Sequence, residues 1–439
     1  MKIGLISLGC PKNLTDSETM LGLIAEHGHE LVTDVTDAEI IIINTCAFID
    51  DAKEESINTI IEMAEYKKKA CKKLIVCGCL AERYHEEIKT ELPEVDAIVG
   101  AGDYYKIIDV IDNTRDNFVC LCGNQNDPVP EGLPRIITTP PYTAYLKIAE
   151  GCDNNCTYCA IPQIRGKYRS RYVEDIVDEA IKLASSGVRE LILIAQDTTR
   201  YGKDIYGRFS LDRLLKELCK IDGIHWIRIH YMYPEATSED VLDIMAKEEK
   251  VLRYIDMPIQ HIDDYILKRM ARRTDGIEIE KKIELIRRKM PDAVIRTSLI
   301  SGFPGESEEA HKKLYAFLNR VQLDRVGVFA YSQEENTPAA VFPEQLPDDI
   351  KCQRRDELMA LCCEISYEKN KKKLGNVYEV LCEGYDEECF MYYGRSYADS
   401  IDIDSRVYFA AEDEVEIGSF VNVKILDCDE YDLTGKMEE

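Results

Sequence analysis

The sequence predicts an α/β protein in three parts: an amino-terminal open α/β sheet over residues 1–139, a central β/α barrel over 140–373, and a small antiparallel β-barrel over 374–439. Three observations predict it. Short apolar runs alternate with helix-period stretches through residue 331, the pattern of parallel sheets. Six successive runs in the middle of the chain each end in polar or special residues, in phase. The last stretch alternates at period two between turns, as small barrels do.

The first part carries the runs "IGLISL" (3–8), "EIIII" (39–43), "LIVC" (74–77) and "AIV" (97–99), separated by helical stretches at 15–27, 52–68 and 82–91. "MKIGLISLGC" imitates a short leader. It has one Lys and a very short apolar stretch before Pro11-Lys12-Asn13, so it reads as the first strand. The second part carries "AYLKIA" (144–149), "ELILIA" (190–195), "WIRIH" (226–230), "YIDMPI" (254–259), "VIRTSLI" (294–300) and "RVGVFAY" (325–331). Helical stretches at 173–186, 210–221, 238–249, 277–290 and 306–320 lie between them. Such a sheet, closed or partly closed into a barrel, works at the carboxyl ends of its strands. Glu150 to Cys159, Gln196-Asp197, Tyr231-Met232-Tyr233, Gln260-His261, Ser301-Gly302 and Tyr331-Ser332 fall there. Residues 338–375 hold three prolines and then a long amphipathic helix, which reads as a connector.

The chain has 439 residues, 45% hydrophobic and 31% charged, enough for two or three globular cores. No run of about eighteen apolar residues predicts a membrane span. The odd number of cysteines, 17, in a chain too large to need staples, points to a reduced cytoplasmic protein whose clustered thiols bind metal. A net charge of −27 disfavours a broad grip on nucleic acid and suits a basic protein partner.

Cys152, Cys156 and Cys159 follow C-x3-C-x2-C with no fourth Cys or His close by. Zinc sites usually take four ligands from paired motifs. Three thiolates on a cubane iron–sulfur cluster leave one iron open for a ligand. A zinc loop with a distant fourth ligand is the alternative. Cys10, Cys46 and Cys79 each follow an apolar run, so three more thiols emerge at one edge of the first sheet. Cys77 competes with Cys79 but lies inside its run, while Gly78 marks the turn. Spacing alone leaves a second cluster and ordinary buried thiols both open.

The spacing around Cys152 resembles the radical S-adenosylmethionine (SAM) superfamily. "LGCPKNLTDSE" (8–18), "INTCAFI" (43–49), "VCGCLAERY" (76–84) and "TAYLKIAEGCDNNCTYCAIPQIRGKYRSR" (143–171) together resemble the methylthiotransferases of that superfamily. "LIAQDTTRYG" (193–202), "HYMYP" (230–234), "MPIQHIDDYILKRMARRT" (257–274), "RTSLISGFPGES" (296–307) and "YYGRSYADSIDID" (392–404) are similar to the branch acting on ribosomal protein uS12. Ser400-Ile401, where that branch often has a Pro, is expected to matter little.

The resemblance implies two 4Fe-4S clusters, on Cys10, Cys46 and Cys79 and on Cys152, Cys156 and Cys159, with SAM bound at the second. It implies hydrogen abstraction from the β-carbon of a uS12 aspartate, sulfur insertion from the first cluster, and methylation by a second SAM. An electron donor such as flavodoxin or ferredoxin is implied with it. Gln196, Arg165, Tyr231 and Gln260 are candidate SAM or substrate contacts, and His261 reads equally as structural. Arg165, Lys167, Arg169 and Arg171 read as a solvated basic face or as a carboxylate site. The tail resembles a TRAM domain, a module that often binds RNA. It has 4 Lys and Arg against 18 Asp and Glu, a net charge of −14, which suits a basic protein instead. Transfer-RNA adenosine methylthiolation and a non-enzymatic iron–sulfur or zinc protein docking on ribosomes are the competing functions.

Overall fold

The computed structural model describes residues 1–113 and 118–438. The predicted spans 1–139 and 374–439 thus include residues 114–117 and 439, which lie outside the described residues.

The first sheet has six parallel strands: β1 (Lys2–Ser7), β2 (Glu30–Leu31), β3 (Ile40–Thr45), β4 (Lys73–Gly78), β5 (Ala97–Gly100) and β6 (Val119–Leu121), in the order β2-β1-β3-β4-β5-β6. β2 and β6 are too short to leave a sequence pattern. Ile40 to Ile43 are all buried, as a strand covered on both faces must be. Ser7 pairs with Asn44 and Thr45 with Gly78, so the carboxyl ends of β1, β3 and β4 lie side by side. The helix Pro11–Glu26 starts four residues earlier than the periodicity predicts, because Pro11 pre-sets its first turn. Lys12, Asn13, Asp16, Ser17 and Glu18 are buried there, since this polar turn faces the second sheet rather than water.

The second sheet holds β7 (Thr143–Lys147), β10 (Glu190–Ile194), β11 (Trp226–Ile229), β12 (Val251–Asp256), β13 (Val294–Ser301) and β14 (Arg325–Ala330), all parallel and in chain order. β14 and β7 do not pair, so it is an open, partial barrel. A ribbon of β8 (Ala149–Glu150) and β9 (Arg169–Ser170) brackets the three-cysteine loop. Helices follow the strands at Val173–Ser185, Leu211–Leu218, Glu239–Lys247, Gly276–Lys289 and Glu308–Val321. Ser238, Asp275 and Ser307 cap three of them by accepting a first-turn N–H. The helix Asp348–Lys371 is no mere connector. Leu358, Leu361, Cys362 and Ile365 join the core of this partial barrel, so its apolar stripe covers the sheet.

The tail is a closed barrel of β15 (Val377–Asp386), β16 (Met391–Ser396), β17 (Val407–Ala410), β18 (Phe420–Cys428) and β19 (Leu433–Met437). It is not wholly antiparallel: β17 and β19 pair in parallel. Five strands cannot close by strict alternation of direction, so one parallel pair is required. Residues 395–404 of the tail plug the open sheet and reach every strand. Arg395 meets Thr143 at 3.5 Å and Glu190 at 2.6 Å. The Tyr397 carbonyl accepts from Arg228 at 2.9 Å, Asp404 accepts from the Tyr254 hydroxyl and lies 3.7 Å from Arg296, and Asp399 pairs with Arg325 at 2.7 Å. Ser400 has a consequence the sequence does not disclose. Its N–H donates to Asp404 at 2.8 Å, which proline cannot do, and its hydroxyl lies 2.9 Å from the buried His230.

Candidate functional site

Cys10, Cys46 and Cys79 stand just beyond β1, β3 and β4, where the sequence places them. Two glycines make the arrangement possible. A Cβ on Gly9 would lie 3.0 Å from the Cys46 sulfur, and one on Gly78 only 2.3 Å from Asn44 Oδ1; both have positive φ. Ser56 clamps Cys46, accepting from its N–H at 3.1 Å and donating to its carbonyl at 2.9 Å. Burial pushes the Cys79 thiol up to about 12 against the pull of Arg165, with Cys10 and Cys46 adding to the rise. Cys77 turns to the other face, wholly buried, 3.9 Å from the Met20 sulfur and donating to the Ile43 carbonyl at 3.4 Å. Cys79→Ala is therefore expected to remove the iron absorbance of the first domain. Cys77→Ala is expected to keep it and to cost about 1 kcal/mol for a small cavity. Spectra of each variant in a background lacking Cys152, Cys156 and Cys159 decide this; an intact spectrum in Cys79→Ala overturns the assignment.

Cys152, Cys156 and Cys159 lie in the loop between β8 and the helix Ile161–Arg165. The Asn154 N–H donates to the Cys152 sulfur at 3.4 Å, and the Ile161 N–H to that of Cys159 at 3.5 Å. Burial pushes Cys152 up to about 11 and Cys159 higher still, each thiol also feeling Cys156. Tyr158 packs edge-on against the buried Phe303 at 6.4 Å, so the Gly302-Phe303-Pro304-Gly305 turn supports this loop. His261 is fully buried, with Nδ1 accepting from the Asp263 N–H at 2.9 Å and Nε2 3.5 Å from Glu306, a structural position.

Among the described residues no three His, Cys, Asp or Glu side chains converge as they would on a single ion. Thiols on a cubane each take a different iron and stand further apart. Both sets carry a buried guanidinium: Arg165 Nη2 is 3.7 Å from the Cys79 sulfur, and Arg272 Nη1 is 3.9 Å from that of Cys156. A guanidinium gains little beside neutral thiols. Against thiolates bound to iron it offsets negative charge, so both sets fit such a cluster.

Between the two sets lies a joint of buried charge. Arg165 bonds Asp16 at 2.6 Å, Glu150 at 3.3 Å, and the Asn13 side chain. Lys147 bridges Asp16 and Glu150. Burial would raise Glu150, but Lys147 and Arg165 outweigh it and hold the carboxyl far below its usual range. Gln196 donates to Glu150 at 2.9 Å, and its own carbonyl oxygen is buried without a partner among the described residues. Tyr231 and Gln260 hold φ of 58° and 68°, strain typical of functional strand ends. The Tyr231 ring takes Lys12 at 3.6 Å. Gln260 is tied to β13 through its backbone, and its side chain makes no hydrogen bond among the described residues. The structure thus brings Gln196, Arg165 and Tyr231 to one joint. Arg171 is not a solvated face, for it pairs with Glu131 and Glu179. Lys12, Asn13, Asp16 and Arg272 escape sequence reasoning. Lys12, Asn13 and Asp16, polar residues in a helix's first turns, read as exposed unless a second domain covers them.

The fold and the thiol loop define a radical SAM protein, and that superfamily matches residues 146–318. A TRAM domain matches 374–437, and an uncharacterized protein family, UPF0004, matches 2–100. The chain belongs to the ribosomal protein uS12 methylthiotransferase family. It is 52% identical over 437 residues to ribosomal protein uS12 methylthiotransferase RimO of Clostridioides difficile (strain 630), covering 99% of this chain and 98% of the relative. The protein of the same name from Acetivibrio thermocellus is 50% identical, again covering 99% and 98%. Among solved structures, the radical SAM methyltransferase TsrM from Kitasatospora setae, with cobalamin and a [4Fe-4S] cluster bound, shares the fold. The TM-score is 0.57 at 14% identity, covering 77% of each chain. The cobalamin-dependent SAM radical enzyme OxsB matches at TM-score 0.51 and 13% identity, covering 82% of this chain and 56% of that one. Among the described residues no helix is long and apolar enough to cross a membrane.

Proposed function

We infer that this protein is a cytoplasmic radical SAM enzyme that methylthiolates the β-carbon of an aspartate in ribosomal protein uS12. The observation that carries it is the pairing of two three-thiol sets, one per sheet, across a joint of buried charge. Cys152, Cys156 and Cys159 would hold one 4Fe-4S cluster, which binds SAM, and Cys10, Cys46 and Cys79 the other. Together these groups supply radical chemistry and sulfur at an unactivated C–H, which no side-chain base can ionise. The chain's own residues do the rest. Arg165 and Arg272 balance charge at the thiols. Glu150 orients Gln196, which with Arg165, Tyr231 and Gln260 forms the SAM or substrate contact set. Flavodoxin or ferredoxin would deliver electrons. The functional units are 1–139, 140–373 and 374–439.

Mass spectrometry of uS12 incubated with reduced enzyme, SAM and sulfide tests this. A methylthio mass shift on an aspartate is expected; modification of transfer RNA instead would overturn it.

The acidic tail would dock the basic substrate rather than nucleic acid. Glu412, Asp413 and Glu414 are exposed, and exposed charges are screened beyond about 8 Å at physiological salt. Reversing all three to Lys is expected to weaken uS12 binding, less so at high salt. A titration at two salt concentrations checks it; equal affinities leave the acidity as a solubility feature.

A further inference from the structure

We propose that Lys12 receives the carboxylate of the reacting aspartate in the protein substrate, an inference that rests on the uS12 reading above. Lys12 sits in the first turn of the helix Pro11–Glu26 and is only 8% exposed. Buried ammonium groups are rarely left without an anion. The other buried cations of this joint have theirs: Lys147 and Arg165 share Asp16 and Glu150, and Arg135 pairs with Glu18. Among the described residues no carboxylate lies within ion-pair distance of Lys12. Its close partner is the face of the Tyr231 ring at 3.6 Å, a weaker counterpart than an anion.

The position is as informative as the missing anion. Lys12 follows Cys10 by two residues, and its ammonium lies over the ring of Tyr231, just past the end of β11 in the second sheet. It therefore links the first thiol set to the strand ends of the second sheet, the region a substrate carbon must enter to meet both sets. In aspartate the β-carbon bears the carboxylate directly. An ammonium that fixes the carboxylate fixes the reacting carbon one bond away, without touching it. Lys12 is thus a positioning and specificity residue. The competing anion is the carboxylate of SAM.

The test uses anaerobically reconstituted holoenzyme, wild type and Lys12→Met, with Lys12→Arg as the conservative variant. Each is titrated with recombinant uS12, with uS12 whose target aspartate is replaced by asparagine, and with SAM. Wild type is expected to prefer the aspartate form by about tenfold or more, the range of a charged hydrogen bond. Lys12→Met is expected to bind both forms equally, Lys12→Arg to recover part of the preference, and SAM affinity to hold in both. Iron content reports whether the Cys10 loop survives; if Lys12→Met loses iron, Lys12→Gln replaces it. Equal wild-type affinity for the two forms overturns the proposal without any variant. So does a Lys12→Met enzyme that keeps the preference, or one whose SAM affinity falls while the preference stays, which assigns Lys12 to the cofactor. Wild type that binds neither form overturns the uS12 reading itself.

Discussion

Protein in which Cys152, Cys156 and Cys159 are all replaced by alanine is expected to lose SAM cleavage completely and to retain about half of its iron after anaerobic reconstitution. The two thiol sets are built by different parts of the chain. Cys10, Cys46 and Cys79 are placed by the ends of β1, β3 and β4, by Gly9 and Gly78, and by the Ser56 clamp on Cys46. None of these supports comes from the β8 loop. Arg165 reaches across, but Asp16 holds its guanidinium independently of the Cys152 loop. Iron and sulfide analysis together with a SAM cleavage assay measures both outcomes. Loss of all iron would sink the idea of two independent sites. Residual cleavage would show that the β8 loop is not where SAM is reduced.

The strand-end thiols are legible in the sequence because a parallel sheet delivers all its carboxyl ends to one edge, and apolar runs mark those ends. Cys79 rather than Cys77 follows from that logic alone, and the packing of Cys77 against Met20 agrees with it. What surrounds the thiols is not legible. Asp16, Lys147 and Arg165 meet across more than 100 residues of chain, with partners no local pattern records. The helix Asp348–Lys371 is visible as an amphipathic helix, but an apolar stripe does not say which sheet it covers. The plug at 395–404 is hidden most thoroughly. Its Arg and Asp residues look like a surface turn, and only the opposite charges on β10, β13 and β14 show that they are interior.

That plug gives the second large effect, on stability. Arg395→Met is expected to destabilise the protein by about 3–5 kcal/mol, the range for removing one partner of a buried ion pair. Glu190 is wholly buried and held by Arg228 at 2.9 Å and Arg395 at 2.6 Å. Burial would raise its pKa, but Arg395 and then Arg228 outweigh that and bring the carboxyl down to about 2, from an ordinary 4.5. A carboxyl lowered on folding contributes stability that is present above about pH 4.5 and is lost as the pH falls toward 2. Arg395→Met leaves Glu190 with Arg228 as its one cationic partner among the described residues and narrows that acid-sensitive window. It also strands the Glu383 carboxylate, 2.8 Å from Arg395, in a mostly buried position. The double variant Glu190→Gln with Arg395→Met removes both charges of the closest pair, so its cost is expected to be smaller than the sum of the single changes. Denaturant melts of the four proteins at pH 7 and at mildly acid pH measure the coupling, with limited proteolysis of the tail as a second probe because a three-part chain need not unfold in one step. Additive costs, or an Arg395→Met protein as stable as wild type, would mean the tail merely rests on the barrel instead of closing it.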